Sequence, residues 1–268
     1  MKSTNFNEIS ARYERDSLVQ RSASEKLLGL LAIQGDDDVL DVGCGPGNLT
    51  RKLRTLTNGR VVGIDPSAGM ITEATAKHAG SDIDFRVNTV EGLASRDAFD
   101  VIFCNSVFQW FREPGQALAN CHATLKQGGR MGIQAPATKT YCPNFLKAIY
   151  EVGLDARTSR AFADFNSPWL FLETADAYAD LFRKSGFDVP FATMEALRSL
   201  HTPDEAMAIF ESGAAAGYLN QAYYTVPFDE HYSAAFRDIV RSSFQEQANE
   251  DGRVELVFNR IYLAAVKE

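Results

Sequence analysis

The chain has 268 residues, with 27 Lys and Arg against 35 Asp and Glu and a formal net charge of −8. That balance argues against a nucleic-acid binder, because phosphate recognition needs clustered cations. Apolar residues at 45 % and charged residues at 23 % exclude a disordered chain, and no apolar run nears the roughly 18–20 residues that a membrane span requires. The start, MKSTNFNEIS, lacks the basic-then-apolar order of a secretory signal, so a soluble cytoplasmic protein is expected. Cys44, Cys104, Cys121 and Cys142 form no C-x-x-C pair, and His78, His122, His201 and His231 show no metal-ligand spacing. No metal is expected.

In chain order, Asp16 is placed to cap a helix over 17–34, with Leu27, Leu28, Leu30 and Leu31 on its apolar face and Gly35 ending it. A buried-strand run over 39–42 leads directly into a glycine turn, followed by a helix over 48–56 and a second strand over 60–65. Ser67 caps a helix to about His78, and a third strand covers 83–87. The fourth strand is 99–104. Pro114 opens a helix that ends near Gln127-Gly128-Gly129, and the fifth strand is 130–135. Beyond Ala135 the rhythm changes. Residues 139–186 read as mostly helical with breaks at Pro143 and Pro168, 187–200 as a strand, 203–219 and 229–248 as helices, and 254–266 as a last strand. Alternating strands and helices predict an α/β fold with a parallel sheet.

The run Asp41-Val42-Gly43-Cys44-Gly45-Pro46-Gly47 follows a strand and opens a helix. Glycines there permit positive φ and let a ligand approach the backbone. Taken alone this is weak evidence, since tight strand-to-helix turns also use glycine for geometry. Gly63-Ile64-Asp65 ends the second strand 22 residues after Gly43, and an acidic group at that position holds a ribose diol in nucleotide-binding folds. The dinucleotide fingerprint wants a further glycine at position 48, where this chain has Asn48.

These motifs resemble the first two of class I S-adenosylmethionine-dependent methyltransferases. The resemblance implies a Rossmann-like, mostly parallel seven-stranded sheet and S-adenosyl-L-methionine as cofactor. It also implies that Gly43, Gly45 and Gly47 form the loop against the methionine portion, Asp65 takes the ribose, and Met70 packs near the adenine. By the same resemblance, backbone around Val90 would meet the adenine edge, backbone near Asn105 would face the methionine end, and Tyr13 would either close over the cofactor or pack the leader down. Many relatives carry Asp where this chain has Thr89. By the same resemblance the chain is one domain, 1–268, with leader helices over 1–35 and a cofactor-binding core over 36–138. A helical substrate cover then spans 139–186 and 203–250, and the final strands are 187–200 and 254–266.

Two segments resemble carboxylate O-methyltransferases more closely. Phe6-Asn7-Glu8-Ile9-Ser10-Ala11-Arg12-Tyr13 with Leu18-Val19-Gln20-Arg21 is similar to the leader of malonyl-carrier-protein O-methyltransferases. Asn105-Ser106-Val107-Phe108-Gln109-Trp110 is similar to the matching stretch of trans-aconitate methyltransferases, and both features recur in juvenile-hormone-acid methyltransferases. This implies transfer to a carboxylate of a small or carrier-bound acid. A carboxylate is already nucleophilic at neutral pH, so the enzyme has to position it and exclude water. The Gln20 amide and the Trp110 indole are then the expected catalytic donors. The plainer alternatives are an exposed Gln20 and a core Trp110. Aromatics of the second half, from Tyr141 to Tyr224, read first as core, and Arg157, Arg160 and Arg198 as solvated arginines or anion partners. Rival readings are a C- or N-methyltransferase of a small metabolite and a cofactor-binding regulatory protein without turnover. No nucleic-acid or membrane partner is expected.

Overall fold

Short apolar runs separated by amphipathic segments assemble into one mixed sheet flanked by helices, and the computed structural model describes residues 18–268. The first half of the chain contains α1 (Leu18–Leu31), β1 (Val39–Val42), α2 (Asn48–Arg54), β2 (Val61–Asp65), α3 (Ala68–Lys77) and β3 (Asp84–Val87). It continues through β4 (Phe99–Asn105), a 3-10 turn (Phe108–Trp110), α4 (Pro114–Thr124) and β5 (Leu125–Pro136). The second half contains α5 (Pro143–Leu154), α6 (Ser159–Phe162), α7 (Ala175–Lys184), β6 (Phe187–His201), α8 (Pro203–Ser212), α9 (Ala215–Tyr218), α10 (Glu230–Glu246) and β7 (Val254–Lys267).

The seven strands lie in the order β3-β2-β1-β4-β5-β7-β6. β1 to β5 pair in parallel, and β7 runs antiparallel to β5. All of β1 and most of β4 are buried, which fits their mainly apolar sequences, broken only at Asp41, Asp100 and Asn105, because a parallel sheet is covered on both faces. The chain winds outward from β1 to β3 and then returns to the other side of β1 as β4. That reversal leaves a crevice at the C-terminal ends of β1 and β4, the usual ligand position in such folds.

Two compact units divide the chain. The larger holds Gln20–Lys139, Leu170–Glu195 and Arg260–Glu268. Within it α1 lies on β5: a Cβ on Gly132 would come within 2.8–2.9 Å of Leu27 and Leu31 carbons. The helix stops at Leu31, three residues short of the expected end and before Gly35 is reached. Arg130 is the reason. Its guanidinium donates to the carbonyls of Leu31 and Ala32 and pairs with Asp37, so the helix end is capped from a strand about a hundred residues away. β5 begins at Leu125 rather than at 130, with a register shift between Phe99 and Val101 that lets the Gly128-Gly129 stretch bulge.

The smaller unit includes Thr140–Trp169 and Ala196–Asn259. Its core is aromatic: Phe145 meets Phe210, Phe244 and Phe258 at centroid distances of 5.1, 5.7 and 5.4 Å, and Tyr218 meets Trp169 at 4.9 Å. Tyr141, Phe145, Tyr218 and Tyr224 are buried as core, Phe162, Phe165, Trp169, Phe171 and Tyr223 are half-buried, and Tyr150 is exposed. Arg157 pairs with Asp155 and Asp238, and Arg198 with Glu255, all near the surface. Residues 163–174 are not helical, unlike the expectation for 139–186; backbone pairing replaces it, as in the Phe165–Tyr224 bridge and the Leu170 N–H to Gln109 carbonyl bond.

Candidate active site

The turn after β1 is built by φ angles of +74°, +52° and +82° at Gly43, Gly45 and Gly47. The N–H groups of Gly43 and Cys44 both donate to the Ile64 carbonyl, at 2.8 and 2.9 Å, tying the turn to β2. Packing demands two of the glycines. A Cβ on Gly43 would sit 2.2 Å from Val107 Cγ2, and one on Gly47 would sit 2.7 Å from Phe85 Cζ. Gly45 differs, because nothing lies within 4 Å of its Cβ position. Here the turn borders open space into which a ligand can come against the backbone.

Asp65 closes one side of that space. Its Oδ1 accepts the Ser67 N–H at 2.8 Å and its Oδ2 the Gly45 N–H at 3.1 Å, so the carboxylate is held in place with further acceptor capacity on both oxygens. Burial raises its pKa, and those two N–H groups oppose the rise. A rigid acceptor pair beside an open glycine turn fits the ribose diol and amino-acid arm of S-adenosylmethionine. Burial also pushes the Cys44 thiol up, helped by Asp41 and Asp65, which keeps it protonated and a poor nucleophile.

Asp41 lies beneath the turn, buried, with the Thr50 hydroxyl donating to its Oδ2 at 2.6 Å. Burial pushes it up to about 7 against the Thr50 bond, and the Asp65 charge adds to the rise. The native state therefore keeps a proton that the unfolded chain gives up near pH 4. Stability contributed by this group is present below that pH and is lost as the pH rises toward 7. We expect Asp41→Asn, which keeps the Thr50 acceptor, to flatten the fall, on the order of 4 kcal/mol at most. Urea unfolding from pH 4 to 8 checks this through the wild-type-minus-variant difference; a pH-independent difference would refute it.

On the other side of the crevice β4 ends at Asn105, and Ser106 takes φ +60°, strained for a non-glycine residue. Its N–H donates to the Gln134 carbonyl at 2.6 Å. The Gln134 amide is oriented by its neighbours: with nitrogen toward Asn105 Oδ1 (3.0 Å) and Ser106 Oγ (3.1 Å), its oxygen accepts from Arg260 Nη1 at 2.6 Å. Gln109 is buried and donates to the Ser106 carbonyl at 2.9 Å.

Gly43, Gly45, Gly47 and Asp65 meet at one place, and Asn105 ends the strand next to β1 on the same sheet edge. Met70 is half-buried in the first turn of α3, where Ser67 caps the helix as expected. Val90 is buried, and its carbonyl accepts from Asn120. Thr89 is exposed and turned onto its own loop, its hydroxyl accepting the Gly92 N–H at 3.1 Å. Trp110 is half-buried at the end of the 3-10 turn, so it is not simple core. Gln20 lies in α1 with its side chain outside the described part, and Tyr13 and Asp16 lie outside the described residues. In the sequence Asp41 stood out only as the first residue of the turn motif, with no role of its own, and Gln134 and Arg260 did not stand out at all. The signal for the last two was a polar residue inside each of two apolar strand runs. Among the described residues no group of three or more His, Cys, Asp or Glu is placed to hold a metal ion, and no helix is long and apolar enough to cross a membrane.

Comparison with known proteins agrees with this geometry. Residues 39–129 match the family described as a methyltransferase domain. A trans-aconitate 2-methyltransferase of Rhodopseudomonas palustris (strain BisB18) is 29 % identical over 257 residues, covering 90 % of this chain and 91 % of that protein. A malonyl-[acyl-carrier protein] O-methyltransferase of Calditerrivibrio nitroreducens is 27 % identical over 164 residues, or 60 % and 64 % of the two chains. Among solved structures, the YcgJ protein of Bacillus subtilis aligns with a TM-score of 0.61 at 16 % identity, over 92 % of this chain and 99 % of that one. The fold is the Rossmann-like fold of class I methyltransferases. The chain is an S-adenosyl-L-methionine-dependent methyltransferase of that class.

Proposed function

We propose that this enzyme O-methylates a carboxylate of a small or carrier-bound acid in the cytoplasm. The observation that carries the reading is the similarity to a trans-aconitate 2-methyltransferase across nine-tenths of the chain, including the region beyond the cofactor motifs. S-adenosylmethionine supplies an electrophilic methyl group when bound. In this reading the Gly43, Gly45 and Gly47 turn lies against its amino-acid arm, Asp65 takes the ribose hydroxyls, Met70 and Val90 border the adenine, and Asn105 and Tyr13 complete the enclosure. Gln20 and Trp110 donate to the acceptor carboxylate without neutralising it. Its oxygen keeps its nucleophilicity while its line of approach is set. No proton has to leave the acceptor, so the reaction asks the protein for placement and dryness rather than for a base.

The test is a panel of mono-, di- and tricarboxylic acids, malonyl-carrier protein included, with methyl-labelled cofactor and matched amines as controls. The expected product is label released by mild alkali, as from a methyl ester. Alkali-stable label on amines or carbon acids, with none on carboxylates, would replace this reading with N- or C-methylation.

A further inference from the structure

Arg260 stands on β7 opposite Pro136, two residues beyond the Tyr262–Gln134 pair. Gln134 is also the last β5 partner of β4, opposite Asn105, so Arg260 lies past the C-terminal limit of the parallel pairing. It is only 5 % exposed. Its Nη1 donates to Gln134, whose amide donates in turn to Asn105 and Ser106, and this chain of bonds fixes the guanidinium relative to the end of β4. Asp65 on β2, the glycine turn on β1, Asn105 on β4, Gln134 on β5 and Arg260 on β7 thus follow one edge of the sheet in strand order. Arg260 is two strands from Asn105, about 10 Å between strand axes, a gap that an arginine side chain and a short diacid bridge together.

The same face carries α1. Arg130 meets the Leu31 carbonyl, Gly132 meets Leu27 and Leu31, and Lys26 sits over the Tyr262 ring, 4.6 Å from its centroid. α1 therefore runs antiparallel to β5. Its backbone at Gln20 lies roughly 9 Å beyond Lys26 in the direction of Arg260, given the helical rise. Arg260 acts on this face too: burial raises the Tyr262 phenol, and the Arg260 charge opposes the rise.

We propose that Arg260 is a substrate-recognition residue that pairs with a carboxylate of the acid other than the one methylated, and so selects acids carrying a second negative group. A planar fork of donors, held by a neutral amide beside the end of β4, suits bidentate capture of a carboxylate. Gln134 is the positioning residue that sets the plane of the fork. The inference rests on the carboxylate reading for the identity of the acceptor, but not for the binding of an anion.

The full-length protein with S-adenosylhomocysteine is titrated by calorimetry with glutarate, succinate and trans-aconitate, and with the monoacids butyrate and crotonate. Wild type is expected to bind at least one of the polyacids more than tenfold tighter than either monoacid. Arg260→Gln loses roughly ten- to a hundredfold for that polyacid and little for the monoacids. Arg260→Lys keeps the charge without the fork and falls between them. If Arg260→Gln fails to show a cooperative melt, Arg260→Lys carries the comparison, with an expected loss of at least threefold confined to polyacids. Equal losses on both kinds of acid, unchanged affinity in the variants, or no polyacid bound by wild type would overturn the proposal. Arg260-dependent polyacid binding without any methyl ester in the panel would leave Arg260 standing and remove the carboxylate acceptor.

Discussion

Trp110→Phe is expected to lower turnover on an accepted acid by roughly five- to a hundredfold, with cofactor affinity nearly intact. The substitution keeps most of the ring and deletes the indole N–H. Trp110 ends the 3-10 turn just past Ser106 and is half-buried near the end of β4, the position from which its indole N–H is proposed to reach the acceptor. Gln20→Ala should give a drop of the same order. The antiparallel seat of α1 on β5 carries the Gln20 backbone toward the same edge. Donors of this kind matter most while the methyl is in flight, so kcat falls more than binding of S-adenosylhomocysteine. If both hold one pair of oxygens, the double variant loses less than the product of the two single losses. A Trp110 that only packs would give a lower melting temperature with rate preserved. Full activity of both single variants on a confirmed acid would remove them from the mechanism.

Asp65→Ala is expected to weaken S-adenosylhomocysteine binding about ten- to a hundredfold, the worth of charge-assisted hydrogen bonds to a diol. The side chain has a second duty here, because it also receives the N–H groups of Gly45 and Ser67. The variant should therefore melt lower as well, through a loosened turn. Adenosine separates the two effects: it keeps the ribose and lacks the amino-acid arm proposed to lie against the glycine turn. Equal fractional losses for adenosine and the full product place the effect at the ribose. A loss confined to the full product would assign Asp65 to shaping the Gly43–Gly47 turn instead. Unchanged affinity for both would put the ribose elsewhere.

Much of the larger unit could be read from residue order, because its determinants are local. β1 and β4 announce themselves as mainly apolar runs because a strand covered on both faces leaves few positions for polar side chains. Gly43 to Gly47 mark a turn of positive φ, and Ser67 caps α3 through a hydroxyl three residues from its partner. The resemblance that implied the cofactor class was carried by that turn together with Asp65, one strand away.

Other features depend on pairs distant in sequence, and only the tertiary structure decided them. α1 ends at Leu31 because Arg130 reaches its last carbonyls, while Gly35, the local stop signal, is never used. The glycines at 128 and 129 look like a helix terminator and a turn, yet the β4 register draws them into β5 as a bulge. Gln134 and Arg260 are 126 positions apart and individually unremarkable in sequence. They become a site when the antiparallel return of β7 sets Arg260 beyond the Gln134–Tyr262 pair. A periodicity or a cap reports energies settled within a few residues, so composition and spacing reveal it. A hydrogen bond across strands is settled by the register of the whole sheet, which no local window contains.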